Sequence, residues 1–259
     1  MPRGTKWSYE ETRMAFALYF LIGASKADKR NSDVKRLAQA LGRTPDAVAM
    51  KLCNIAANDK NHVSTGKVGL RNSAKLDRDI WLDYERDRDA FLDNAIRELE
   101  NTVQHKDSGY ESLASVTQEL EYIPEGREQR TFVRVRINQQ YFRHTLMETY
   151  EGHCCLTGLG VPELLIASHI KPWSACDPNT ERLAASNGLL LNALHDRAFD
   201  QGLMTIDAKL RVRISSHVKH SEQSNRFLWQ FDGETIRPPK AHRPALEFIE
   251  YHNDVVFKG

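Results

Sequence analysis

Apolar positions recur with a helical period over the first hundred residues and gather into short strand-like runs after residue 150, so the chain reads as two differently built halves. Ser8-Tyr-Glu-Glu11 has the form of a capping box and opens a run with Met14, Leu18 and Leu21 on one face. A second helix is expected over residues 33–41, stopped by Gly42. A third is expected over 45–56, where Thr44 can cap the first turn and a proline occupies the first helical position. Residues 37–52 are therefore helix, tight glycine turn, helix, the shape of a helix-turn-helix. In that arrangement Ala38, Leu41, Val48 and Leu52 pack inward, and Arg43, Asp46, Ala49, Lys51 and Asn54 face a groove or a phosphate. An ordinary helical hairpin has the same shape.

Residues 60–75, rich in Gly, Ser, Asn and Lys, read as a loop that either follows a nucleic-acid backbone or merely connects. An acidic helix with Trp81, Tyr84 and Phe91 is expected over 76–100, its charges forming a solvated face. Periodicity fades over 101–131, which reads as a linker. Beyond it, residues 138–150 predict an amphipathic helix with Phe142, Leu146 and Tyr150 on one side and Arg143 on the other. Residues 152–158 read as a turn and short strand, 164–170 as a buried strand, and 188–192 as a second apolar strand. Strands over 203–206 and 211–214 and a helix over 244–251 complete the pattern. Helices and antiparallel strands are segregated, which places the chain in the α+β class.

With 41% apolar and 27% charged residues in 259, the composition is that of a folded protein. No stretch approaches the roughly 18 uninterrupted apolar residues of a membrane helix, and the first residues lack the apolar core of a secretory signal. A cytoplasmic address is expected, with no membrane partner. Of the four cysteines, Cys154 and Cys155 are adjacent and cannot form the spaced pair that grips zinc, so neither a disulfide framework nor a structural zinc is expected. The net charge of +1 hides an asymmetry. Residues 1–75 carry 14 Lys/Arg against 6 Asp/Glu, a balance of +8, and residues 76–131 carry 7 against 15, a balance of −8. A basic head points to a polyanion, the alternative being a solvated surface with no partner.

The chemistry concentrates in Ile166-Ala-Ser-His-Ile-Lys-Pro-Trp173 and in Asn187-Gly-Leu-Leu-Leu-Asn-Ala-Leu-His-Asp-Arg-Ala-Phe-Asp200. A histidine at the end of one apolar strand, followed by a second strand that leads into a segment dense in His and Asp, can aim imidazole and carboxylate ligands at one divalent cation. These segments, with Gly152-His-Cys-Cys-Leu-Thr-Gly158 before them and Asp200-Gln-Gly-Leu203 after them, resemble an HNH endonuclease of the ββα-metal fold, of the type found in restriction enzymes. The resemblance covers roughly residues 135–210.

What the resemblance implies can be carried over residue by residue. His169 matches the general base that takes a proton from the attacking water. Asn187 matches the asparagine that pins the loop between the strands and orients the base by hydrogen bonding. The ligand segment is 195–200, with Asp200 four residues after Asp196 and so on the same helical face. Two departures stand out. His195 lies eight residues after Asn187 where relatives place the last histidine nine after, so either His195 or Asp196 is the ligand. Ser168 replaces the Asp or His that often precedes the base, and its hydroxyl is a poor ligand that water can replace. One hard cation is implied, Mg²⁺ with Mn²⁺ as substitute, and products bearing a 5′-phosphate and a 3′-hydroxyl. Arg143, Lys171 and Arg197 are candidates to grip phosphates, or else surface charges; His153 and Trp173 read as structural.

The resulting expectation is a helical DNA-binding domain over residues 1–100, a linker over 101–131 and an HNH nuclease domain over 132–259. Together they would act on double-stranded DNA as a metal-dependent restriction enzyme, of the kind that includes readers of modified DNA, in host defence. A homodimer is implied if both strands are cut. The alternatives are a homing or phage nuclease of the same chemistry, a DNA-binding regulator with an inactive nuclease domain, and an enzyme acting on RNA.

Overall fold

The computed structural model describes residues 6–66, 74–102 and 127–259, with backbone alone at 127–130 and 132. It divides into two compact units, Met1–His144 and Thr145–Gly259.

The first unit is built around α1 (Tyr9–Ile22). Ser8 Oγ accepts from the Glu11 amide at 3.1 Å while Glu11 Oε2 accepts from the Ser8 amide at 2.8 Å, so the expected capping box forms. Every residue from Met14 to Ile22 is buried, which makes α1 a central helix enclosed on all sides rather than a one-faced amphipath. Around it lie α2 (Ser32–Ala40), α3 (Pro45–Ala56), α4 (Lys60–Ser64), α5 (Lys75–Arg86), α6 (Arg88–Asn101) and the part of α7 (Arg127–Thr149) that precedes Thr145. Phe16, Phe20, Trp81, Tyr84, Phe91 and Tyr141 form an aromatic core, in which Phe20 and Tyr141 stack with centroids 4.2 Å apart. Each such side chain contributes roughly 1.5–3 kcal/mol by leaving water.

Several boundaries differ from those expected. The acidic stretch is two helices, broken at Asp87 (φ −152°, ψ 87°), whose carboxylate caps the Ala90 amide at 3.1 Å. The expected loop 60–75 begins as α4, capped by Asp59, and its residues 67–73 lie outside the described residues. So does 103–126, most of the expected linker, while 127–131 are already helical in α7.

Helix, glycine turn and helix are present in α2 and α3, with Gly42 at φ 63° and Ala38, Val48 and Leu52 buried; Leu41 is half-buried. The two cations of the face expected to meet DNA are engaged within the unit, while Asp46 is exposed. Arg43 is held by Glu11 at 3.0 and 2.7 Å and lies over the Trp7 ring, and Lys51 is buried with Nζ 2.6 Å from Asp77 Oδ1. Asn54 is half-buried. Helices α1 and α5 pack against α3, and the outward positions of α3 are Asp46, Met50 and Cys53, an acid and two weakly polar groups. Arg43 and Lys51 therefore do not face a groove. The charge asymmetry has the same explanation: Arg13 with Glu98, Lys51 with Asp77 and Lys60 with Glu85 join the basic head to the acidic stretch within one unit.

In the second unit β1 (Leu165–His169) and β2 (Gly188–Asn192) pair antiparallel, with His169 opposite Gly188 and Leu165 opposite Asn192. α8 (Ala193–Asp200) leaves β2 directly. A second ribbon joins β3 (Met204–Ile206) to β4 (Val212–Ile214), followed by α9 (Glu222–Phe227), α10 (Leu246–Tyr251) and a wide helical turn, His252–Val256. Residues 152–158 form turns with Gly152 and Gly158 at positive φ, and no strand. Gly202 is at φ 67°, and a Cβ there would overlap the Val256 carbonyl oxygen. Among the described residues no helix is long and apolar enough to cross a membrane.

Candidate functional site

Two cavities lie on different sides of the β1–β2–α8 unit. One, of about 420 Å³, is lined by Ser168, His169, Trp173, Asp196, Asp200 and His252 among others. The other, of about 640 Å³, is mainly apolar and contains His195 with Leu164, Phe227 and Phe231. Successive helical residues point about 100° apart, so neighbours His195 and Asp196 enter different cavities. Asp196 and Asp200, one turn apart, share the first.

His169 ends β1. Its Nε2 lies 2.9 Å from the Arg182 carbonyl oxygen, which can only accept, so in the neutral ring Nε2 carries the hydrogen and Nδ1 the lone pair. Burial lowers its pKa below the ordinary histidine value, with the Arg182 carbonyl opposing. The ring is therefore neutral at pH 7, as a general base must be. Trp173 meets it edge-on, with centroids 5.3 Å apart.

Asn187 is fully buried. Its Oδ1 accepts the Lys171 amide at 2.8 Å, and its Nδ2 lies 3.3 Å from the Lys171 oxygen, 3.4 Å from the Glu181 oxygen and 3.1 Å from Cys176 Sγ. It thereby ties together the loop between β1 and β2. Its amide bonds go to that loop, and the carbonyl that holds His169 belongs to Arg182, next to Glu181. Asn187 and His169 are thus connected through the loop.

Asp196 is 9% exposed. Burial raises its carboxyl above the usual carboxylate range, with the Ser168 hydroxyl and the Arg197 guanidinium pulling down. Asp200 is exposed as a residue; partial desolvation of its carboxyl and the charge of Asp196 raise it, Arg197 again opposing. Ser168 Oγ is buried and makes no well-formed hydrogen bond among the described residues. Two carboxylates a helical turn apart, both disfavoured in the charged form, beside a buried hydroxyl, are a donor set suited to a hard hydrated cation. Among the described residues no three His, Cys, Asp or Glu side chains gather around one point, so such a cation would keep much of its water.

His195 is differently placed. Its Nδ1 lies 3.0 Å from Asn192 Oδ1 and its Nε2 2.9 Å from the Phe227 carbonyl, while its ring meets Phe231 edge-on. The Phe227 carbonyl can only accept, so in the neutral ring Nε2 carries the hydrogen and Nδ1 meets Asn192 Oδ1 with a lone pair; the ring lines the second cavity and not that of His169. Among the phosphate-gripping candidates, Lys171 is paired with Glu181 at 2.6 Å, Arg197 is exposed on α8, and Arg143 belongs to the first unit on α7.

One residue of the cavity carried no signal in the sequence. His252 is 1% exposed, stacks on Phe199 at 3.8 Å, and places Nδ1 2.8 Å from Thr205 Oγ1 and Nε2 3.2 Å from the Phe199 oxygen. Burial lowers its pKa to about 4. It stands in a tail without a motif, and only the fold brings it to α8.

Residues 154–207 match the family model described as HNH endonuclease, a span that contains β1, β2, α8 and β3. The C-terminal region thus carries an HNH domain, and the first unit lies outside the match. No curated protein matches the chain.

Proposed function

Starting from the HNH endonuclease domain of residues 154–207, we propose that this protein hydrolyses phosphodiester bonds of double-stranded DNA with the help of a divalent metal ion, Mg²⁺ or Mn²⁺. The observation that carries the reading is the cavity shared by a neutral His169 and the two carboxylates of α8. His169 Nδ1 takes the proton of the attacking water, and the Arg182 carbonyl on Nε2–H stabilises the imidazolium that forms. Asp196 and Asp200 would hold the cation, with Ser168 contributing a hydroxyl or a water. Bound there, it supplies charge neutralisation at the departing oxygen. Asn187 keeps the base-bearing loop closed. The products expected are a 5′-phosphate and a 3′-hydroxyl.

A restriction enzyme in host defence, including one that reads modified DNA, is the biological role we favour. Cutting both strands calls for two copies of the unit, so a homodimer on DNA is expected and is measurable by sedimentation. The chemistry is tested with supercoiled plasmid, unmodified, methylated, hydroxymethylated or phosphorothioated, in Mg²⁺, Mn²⁺ or EDTA. Metal-dependent nicking that disappears in His169→Ala is the expected result. No cleavage of any of these substrates in either metal would overturn the nuclease reading.

A further inference from the structure

We propose that Arg182 is the residue that grips a substrate phosphate beside His169, an inference that rests on the nuclease reading above. Lys171, the cation that the sequence brings closest to the base, is already neutralised: Glu181 Oε2 lies 2.6 Å from its Nζ and also accepts the Asp177 amide at 2.7 Å. Arg182 is less tightly held: the charge of Asp177 acts on it, but no bond like that between Lys171 and Glu181 fixes it. Its guanidinium lies over the Trp173 ring, 5.2 Å from the centroid, and its Nε is buried with no hydrogen-bond partner among the described residues. A phosphate oxygen would give the guanidinium a charge-assisted partner.

The surroundings direct that donor toward the reaction. Trp173 lines the cavity and its ring meets His169 edge-on, so an arginine laid on Trp173 lies against a residue of the cavity wall. Stacking on an aromatic face fixes the guanidinium plane, and that rigid fork suits two-point contact with phosphate. The same residue's main-chain carbonyl holds His169 at 2.9 Å. One residue would therefore set the base by its backbone and the phosphate by its side chain, keeping both in one register. Substitution separates the two roles, because the carbonyl at 182 survives any side-chain change.

The test compares wild type, Arg182→Gln and Arg182→Lys in the full chain. Binding of a short fluorescein-labelled DNA duplex in EDTA is followed against salt, and cleavage is followed on whichever plasmid form the wild type cuts with Mn²⁺. Losing one phosphate contact should lower the slope of log affinity against log salt by about 1 in Arg182→Gln. A charge-assisted hydrogen bond of about 1.5–3 kcal/mol corresponds to cleavage slowed about 10- to 160-fold. Arg182→Lys keeps the charge and should keep the wild-type slope. The inference is overturned if Arg182→Gln has the wild-type slope and rate, or if Arg182→Lys loses as much slope as Arg182→Gln, which would make the arginine a support for Trp173 alone. A wild type that neither binds nor cuts overturns the nuclease reading and this inference with it.

Discussion

Asn187 is a buried amide whose hydrogen bonds run to both ends of the loop between β1 and β2, at Lys171 and at Glu181. Asn187→Ala leaves those groups unpaired and should cost about 1–3 kcal/mol in urea unfolding. Because the Arg182 carbonyl rides on the same loop, plasmid nicking should fall in this variant even at temperatures where it remains folded; full activity in the folded variant would count against transmission through the loop. His252 makes a prediction about acid. Its folded pKa of about 4 lies below the ordinary 6.5, so as pH falls the unfolded chain takes up the proton first. Stability is complete above 6.5 and declines between 6.5 and 4, by about 3 kcal/mol in all from this group. The thermal midpoint of His252→Gln should therefore fall less steeply over that window than the wild type's. Parallel profiles would refute the assignment.

The β1–β2–α8 unit is held by local devices. Asn192 ends β2 and caps α8, its Oδ1 accepting the His195 amide at 3.0 Å. Asn192→Ala should cost about 1 kcal/mol and loosen the helix that carries Asp196 and Asp200. Weaker Mn²⁺ binding in calorimetry, with the fold retained, is expected. Further along, α8 runs into Gly202, where positive φ and the nearby Val256 carbonyl leave no room for a side chain. Gly202→Ala should destabilise the second unit, opposite in sign to the roughly 0.4–1 kcal/mol gained where alanine fits. What is visible in the sequence is what is made within a few residues; the approach of the Val256 carbonyl to Gly202 is not. The apolar strands and the His-to-Asp spacing show there, and the family resemblance rests on them. The burial of α1 on every side is not visible, since its covering helices arrive from residues up to Tyr141.

Across the molecule, opposite charges from distant stretches meet. Lys51 and Asp77 form a buried pair in the first unit, and Lys51→Ala should destabilise that unit by about 3–5 kcal/mol, because the carboxylate keeps only the Ala74 amide and loses its counter-ion. Chemical unfolding measures it. Arg43→Gln, which breaks an ion pair with Glu11, should leave the salt dependence of DNA binding as it is in the wild type. A lower slope would return that residue to the DNA interface.

Helix caps, glycine turns, the order of strands and helices and the run of histidine and carboxylates are set by neighbours along the chain, and they are readable there. Which side of a helix stays open is set by what packs on it from far away. The Phe227 carbonyl, thirty-two residues on, closes His195 from one side, whereas His252 comes from the tail to floor the cavity of Asp196 and Asp200. Likewise Asp77 draws Lys51 inward and the basic head finds its counter-charge in the acidic stretch. Residue type and spacing fix which groups are available for chemistry; desolvation and distant partners choose which of them face it.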